Sequence, residues 1–149
     1  MLFEHARVLV VGAGGLGCEI LKDLALSGFR DIEIIDMDTI DVTNLNRQFL
    51  FRKADVGKAK ATVAAEFVMK RCPHVKVKSH VSKIQEFSSS FFASFHIIMA
   101  GLDNVEEARR WLNFKLHRPM VEFDSNEPDP STMRPLTYRW RYIRVPWTV

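Results

Sequence analysis

The segment Gly12-Ala13-Gly14-Gly15-Leu16-Gly17 constrains this chain's fold more than any other feature. It stands between two different apolar patterns. Arg7-Val8-Leu9-Val10-Val11 is a short β-branched run that reads as a fully buried strand. Ile20, Leu21, Leu24 and Ala25 then recur at helical spacing, and Gly28 closes that run as a helix C-cap. A strand that turns through G-x-G-x-x-G into a helix opens a βαβ unit. In that setting Gly12 permits the tight turn, Gly14 lets backbone approach a phosphate, and Gly17 allows close helix–strand packing. The helix N-terminus offers free N–H groups and a positive dipole end to phosphate oxygens. The competing explanation is a tight βα turn with no ligand. The loop alone does not choose between a dinucleotide and ATP.

The alternation continues along the chain. Residues 31–36 read as a second strand, and 37–53 as a polar, irregular stretch with 44–48 in a short turn. Residues 58–71 put Ala61, Ala64, Ala65 and Val68 on one helix face. Residues 74–80 alternate as a third strand, and 95–100 form a fourth, buried one. A helix is expected over 104–116, with Val105, Ala108, Trp111 and Leu112 inward, and a fifth strand over 120–123. Strands alternating with helices predict an α/β fold, a Rossmann-like, mostly parallel sheet flanked by helices with right-handed crossovers. The 149 residues suit one domain, and 47% hydrophobic with 26% charged residues argues against wholesale disorder. No apolar run approaches the roughly 18–20 residues of a membrane span. Residues 1–5 lead straight into a strand-like run and are not expected to act as a secretory leader. Cys18 and Cys72, with no C-x-x-C, make neither a disulfide scaffold nor a cysteine zinc site. The expected setting is intracellular, cytoplasmic or nuclear.

Several polar residues sit where such a sheet binds ligands. Asp36 ends the second strand, 19 residues past Gly17, where a carboxylate accepts hydrogen bonds from ribose hydroxyls. The plain alternative is a solvated loop acid. Asp36-Met37-Asp38 does not open a calcium loop, because Asp41 occupies the position that needs glycine. Asn44, Arg47 and Gln48 crowd one short stretch, and Lys58 and Lys60 open the next helix. Singly, each cation reads as a solvated side chain. Beside a glycine loop, together they favour a nucleoside triphosphate, whose developing charge they would neutralise. Asp103 follows the fourth strand, where a carboxylate can hold Mg²⁺ against triphosphate oxygens, or cap the next helix with Glu106 as its box partner. His96 reads as a satisfied core residue, Cys18 as core packing and Cys72 as a helix-end residue.

Charge and composition break late in the chain. The net charge is +3, but Arg134, Arg139, Arg141 and Arg144 lie beyond the last acid, and without them the charge is −1. Tyr138, Trp140, Tyr142 and Trp147 share that end. A basic-aromatic tail suits nucleic acid. A peptide read in a shifted frame explains the same composition, and nucleic acid is not the expected partner.

Taken together, Val-Val-Gly-Ala-Gly-Gly-Leu-Gly-Cys-Glu (10–19), Ile-Asp-Met-Asp-Thr-Ile-Asp (35–41), Asn-Leu-Asn-Arg-Gln-Phe-Leu-Phe (44–51), Gly-Lys-Ala-Lys-Ala (57–61) and Gly-Leu-Asp (101–103) resemble the ubiquitin-activating-enzyme family, whose bacterial relatives are MoeB and ThiF. Leu-Ser-Gly-Phe-Arg (26–30), Lys-Ile-Gln-Glu-Phe (83–87), Phe-His-Ile-Ile (95–98) and Ala-Arg-Arg-Trp (108–111) look most like the catalytic-subunit branch of its neddylation-activating members. The resemblance covers about residues 6–116. It implies an ATP-binding adenylation domain over 1–136, incomplete, followed by an aberrant tail over 137–149. It implies that Gly12, Gly14, Gly15 and Gly17 contact ATP phosphates, with Asp36 and Asp38 on the nucleotide. It further implies that Asn44, Arg47, Gln48 and Lys60 surround the triphosphate as catalytic groups, and that Asp103 holds Mg²⁺. The implied reaction is adenylation of the C-terminal glycine of a ubiquitin-like modifier, with a regulatory partner subunit completing a heterodimer.

The departures set two alternatives. The family continues into a zinc-binding C-x-x-C pair, a catalytic-cysteine domain and a ubiquitin-fold domain, none of which lies in these 149 residues. Only the first half-reaction is therefore expected, and a truncated fragment that binds nucleotide or partner without turnover is the main alternative. A nicotinamide oxidoreductase on the same loop lacks any evident proton relay. Codons exist for Thr137-Tyr138-Arg139-Trp140-Arg141-Tyr142 that, read one base later, spell His-Ile-Asp-Gly-Gly before threonine, which resembles the family's continuation. A one-base frame change near residue 136 is expected, and the coding DNA tests it.

Overall fold

A computed structural model describes residues 5–102. The expected helix over 104–116, the strand over 120–123, Asp103 and the 137–149 tail lie outside the described residues.

Four strands form one parallel sheet: β1 (Arg7–Val11), β2 (Asp31–Ile35), β3 (Lys76–His80) and β4 (Ile97–Ala100), in the order β3-β2-β1-β4. Val8 is level with Ile32 on one side and Ile97 on the other, which puts β1 at the centre. Parallel strands need crossovers, and these cover both sheet faces, so the successive side chains Val8 to Val11 of β1 are all buried. Val8 and Val10 pack with α1 (Gly15–Leu26) and α2 (Lys60–Arg71). Leu9 and Val11 pack on the opposite face with Ile84, Phe92 and Phe95. Ala61, Ala64, Ala65 and Val68 are all buried, the face expected of α2.

Gly28 does end α1. Its φ of +96° is left-handed, Gly28 N–H donates to Ala25 O, and Phe29 N–H donates to Leu24 O. These two bonds satisfy carbonyls that the helix end leaves free.

The structure corrects several boundaries. β3 begins at Lys76 rather than at residue 74, because Val75 N–H turns back to Cys72 O. α2 begins at Lys60, since the Thr39–Ala59 bridge holds the preceding chain extended. A short helix, α3 (Ser89–Ala93), stands where the sequence pattern predicted none, with Ser88 Oγ accepting the Phe91 N–H. β4 begins only at Ile97, so His96 is not a core residue. It is exposed, and its Nδ1 accepts the Arg7 N–H at 3.0 Å while its own N–H donates to Arg7 O. The ring stands in for a ladder acceptor where the chain enters the sheet. Among the described residues, no helix is long and apolar enough to cross a membrane.

Candidate functional site

The glycine loop leaves β1 at its carboxyl end, and three of its glycines answer to three different demands. Gly12 has φ +99°, and a Cβ there would lie 2.8 Å from Gly101 O. A Cβ on Gly17 would lie 1.8 Å from Gly12 O, so the first turn of α1 sits directly on the loop. Gly101, just past β4, presses on the same spot, with a hypothetical Cβ 3.0 Å from Gly17 N. Gly14 is different. Its φ of −75° is ordinary, and a Cβ there would meet nothing within 4 Å. No contact within the described structure requires glycine at position 14, and its open side is where backbone is free to approach a ligand. Gly14 is also the N-cap of α1 and supplies no capping side chain, which leaves the first N–H groups of the helix unsatisfied by it.

Asp36 holds this loop in place. Its Oδ2 accepts the Ala13 N–H at 2.5 Å and its Oδ1 accepts the Asp38 N–H at 2.7 Å. The solvated-acid alternative is therefore replaced by a structural one. An ionised carboxylate has about four acceptor positions, so each oxygen retains capacity for a hydroxyl donor. Asp38 lies beside it, and its Oδ2 is 3.1 Å from Lys60 Nζ. Lys60 is buried, with its side chain 10% exposed, and its backbone N–H donates to Asp38 O. Lys58 points elsewhere, pairing with Asp55 at 2.9 Å on the surface.

The 44–48 turn approaches the loop from a third direction. Asp41 caps it, accepting Thr43 N–H and Oγ1–H. These bonds, the backbone one first, hold the Asp41 carboxyl below the usual carboxylate range. Asn44 returns the favour, its Oδ1 accepting the Asp41 N–H at 2.9 Å. Asn44 is thus buried as a capping partner, and its amide N–H₂ has no hydrogen bond shown among the described residues. Arg47 is exposed and has no ion pair among the described residues. Its backbone oxygen would lie 3.3 Å from a Cβ on Gly15, so the turn abuts the loop. Gln48 is buried, and its Oε1 has no hydrogen-bond partner among the described residues.

A cleft of about 380 Å³ opens at the carboxyl ends of β1 and β2, the place where ligands bind parallel sheets. Val11, Ile35, Ile84 and Leu102 give it apolar walls, Asp36 and Asp38 line it, and Ser82, Lys83 and Gln85 form its far side. The structure therefore brings Gly14, Asp36, Asp38 and Lys60 to one place. The 82–85 wall was absent from the expected site residues. It follows the third strand with no glycine, a single lysine and no recognisable ligand pattern, and only the topology carries it across to β1.

Cys18 lies under the loop, its Sγ 3.4 Å from Ala13 O. Burial first, then the Asp36 and Glu19 charges, push its thiol up to about 12. It is core packing, as expected, and Cys72 is buried at the end of α2. Among the described residues, no group of three or more histidine, cysteine or acidic side chains is placed to hold a metal ion.

The ThiF family model matches residues 2–125. The NEDD8-activating enzyme E1 catalytic subunit of Dictyostelium discoideum is 56% identical over 87% of this chain and 29% of its own length. That of Caenorhabditis elegans is 53% identical over 89% of this chain and 31% of its own. The chain thus spans about 30% of the length of these curated relatives. The crystal structure of the E. coli tRNA N6-threonylcarbamoyladenosine dehydratase TcdA has a TM-score of 0.69 at 30% identity, covering 76% of this chain and 48% of that one. The same dehydratase has been solved in complex with ATP, with a TM-score of 0.65 at 33% identity over 70% of this chain and 44% of that one.

Proposed function

From the premise that this chain belongs to the ThiF family, we propose that it carries the ATP site of an enzyme that adenylates the C-terminal glycine of a ubiquitin-like modifier. The observation that supports this reading best is Gly14. It is a helix N-cap with open space in place of a side chain, and its neighbour Ala13 bonds Asp36, which lines the cleft with Asp38.

In this proposal the N–H groups at the start of α1 hold the phosphates, Asp36 takes ribose hydroxyls, and the base enters the apolar part of the cleft. Lys60 and Arg47 neutralise phosphate charge, Lys as a point charge and Arg as a planar fork. Asn44 and Gln48 Oε1, which has no partner among the described residues, supply polar contacts at the turn. Asp103 stays the proposed Mg²⁺ ligand on the sequence resemblance, a hard cation that takes oxygen donors. A modifier carboxylate, already ionised near neutral pH, attacks the α-phosphorus, a new oxygen–phosphorus bond forms, and pyrophosphate leaves. No base is required, so the work of these residues is positioning and charge stabilisation. Both cysteines are buried, and neither is proposed as a thioester nucleophile.

ATP–pyrophosphate exchange tests this reading, with a regulatory partner subunit and a NEDD8-type modifier present. Exchange that depends on the modifier supports it. The alternative reading is a fragment that binds nucleotide or partner without turnover. A folded chain that binds ATP and shows no exchange selects that fragment.

A further inference from the structure

Glu33, 5% exposed in the middle of β2, is a buried carboxylate that the nucleotide site does not use. Its Oε1 accepts from Arg7 Nη2 at 2.8 Å, and its Oε2 lies 2.6 Å from His80 Nε2. A carboxylate paired with a guanidinium only accepts, so the Nε2 proton is on His80. The imidazole is also gripped by two rings. Phe87 and Phe91 meet it nearly perpendicularly, with centroids 5.2 and 5.5 Å away. His80 ends β3, and its carbonyl accepts the Asp36 N–H at 3.1 Å. Two residues later the chain becomes the 82–85 wall of the cleft.

Stability is a poor reason for this arrangement. Burying an ion pair costs desolvation, and well-packed apolar side chains of similar volume are often as stable. We propose that Glu33, acting through His80, is a positioning residue that holds the 82–85 wall in register with Asp36, and so shapes the base side of the cleft. This rests on the nucleotide reading above. The glycine loop is held by the contacts of Gly12, Gly17 and Gly101 and by the Asp36 carboxylate, none of which passes through the Glu33 or His80 side chain.

The test compares ATP with inorganic tripolyphosphate, which lacks ribose and base, by calorimetric titration of the full chain. The double variant Glu33→Met with His80→Phe replaces the polar pair by apolar groups and keeps a ring between Phe87 and Phe91. It is expected to bind ATP about tenfold more weakly, the value of one well-placed hydrogen bond, with tripolyphosphate binding unchanged. Glu33→Gln still hydrogen-bonds the imidazole through its other tautomer, and is expected to retain ATP affinity. Wild-type ATP affinity in the double variant overturns the inference and leaves the nucleotide reading standing. Equal loss of both ligands also overturns it, since that marks a general structural role. Should the double variant not fold, Phe91→Leu loosens the imidazole without touching either polar group. A selective loss of ATP binding there supports the inference, and unchanged ATP binding overturns it. A wild-type chain that binds no ATP refutes the nucleotide reading, and this inference with it.

Discussion

A methyl group separates two kinds of glycine in the loop. At Gly17 it would overlap the Gly12 carbonyl, 1.8 Å away, and backbone atoms on both sides leave no room to yield. Gly17→Ala is expected to abolish the cooperative thermal transition. At Gly14 the same methyl meets open space at an ordinary φ. Gly14→Ala is expected to hold stability within about 0.5 kcal/mol while weakening ATP binding; unchanged ATP affinity would argue against phosphate at that position. Cys18 makes a pH prediction. Its thiol ionises near the ordinary 9.0 in the unfolded chain and at about 12 in the folded one. Below about pH 9 both states keep the proton, and the contribution is fully present. Between about 9 and 12 only the folded state keeps it, so stability falls as pH rises, by up to about 1.4 kcal/mol per pH unit. Denaturant midpoints across that range should fall less steeply in Cys18→Ala. The roles of Gly12 and Gly17 were legible in the sequence because a G-x-G-x-x-G between strand and helix admits few backbones. The loop-fixing role of Asp36 was not, because the Ala13 N–H reaches it from 23 residues away.

Strand β1 carries the fold at the next scale. Leu9 and Val10 are fully buried on opposite faces of the sheet, each in a different cluster. Leu9→Ala leaves a cavity among Ile98, Phe92 and Phe95, and is expected to cost about 3 kcal/mol. Chemical denaturation should show a lower midpoint with an unchanged slope. Element type was readable wherever an apolar run was continuous or periodic, as in β1, α1 and α2. The missed α3 has five residues and rests on one serine cap and two phenylalanines, too short to show a helical period. His96 was misplaced for a related reason. An apolar run shows that a strand is near, but pairing with Arg7 decides where the ladder begins.

For the whole molecule, the net charge of +3 comes from the four arginines after residue 133, and the remainder is −1. The cations proposed for the triphosphate are therefore local rather than part of a general basic surface. Arg47 is exposed, lies beside the loop through its backbone, and its side chain makes no hydrogen bond or ion pair among the described residues. Arg47→Ala is expected to leave the melting temperature unchanged and to slow ATP–pyrophosphate exchange by ~10²-fold, the usual effect of removing one charge-stabilising donor. An exchange rate equal to wild type would remove Arg47 from the mechanism. The tail over 137–149 is proposed to follow a one-base frame change, and a coding sequence in which no shifted frame restores His-Ile-Asp-Gly-Gly refutes that.

The sequence by itself determined the βαβ alternation, the loop glycines that touch backbone, and the set of polar residues to examine. These depend on neighbours in the chain, where spacing is geometry. Only the tertiary structure decided that Asp36 fixes the loop, that Asp38 holds Lys60, that residues 82–85 wall the cleft, and that Glu33 pairs with His80. Each joins residues at least 22 positions apart, or faces a strand that is not its neighbour in sequence. Parallel pairing brings such residues together through crossovers, and local spacing carries no record of which strand ends meet.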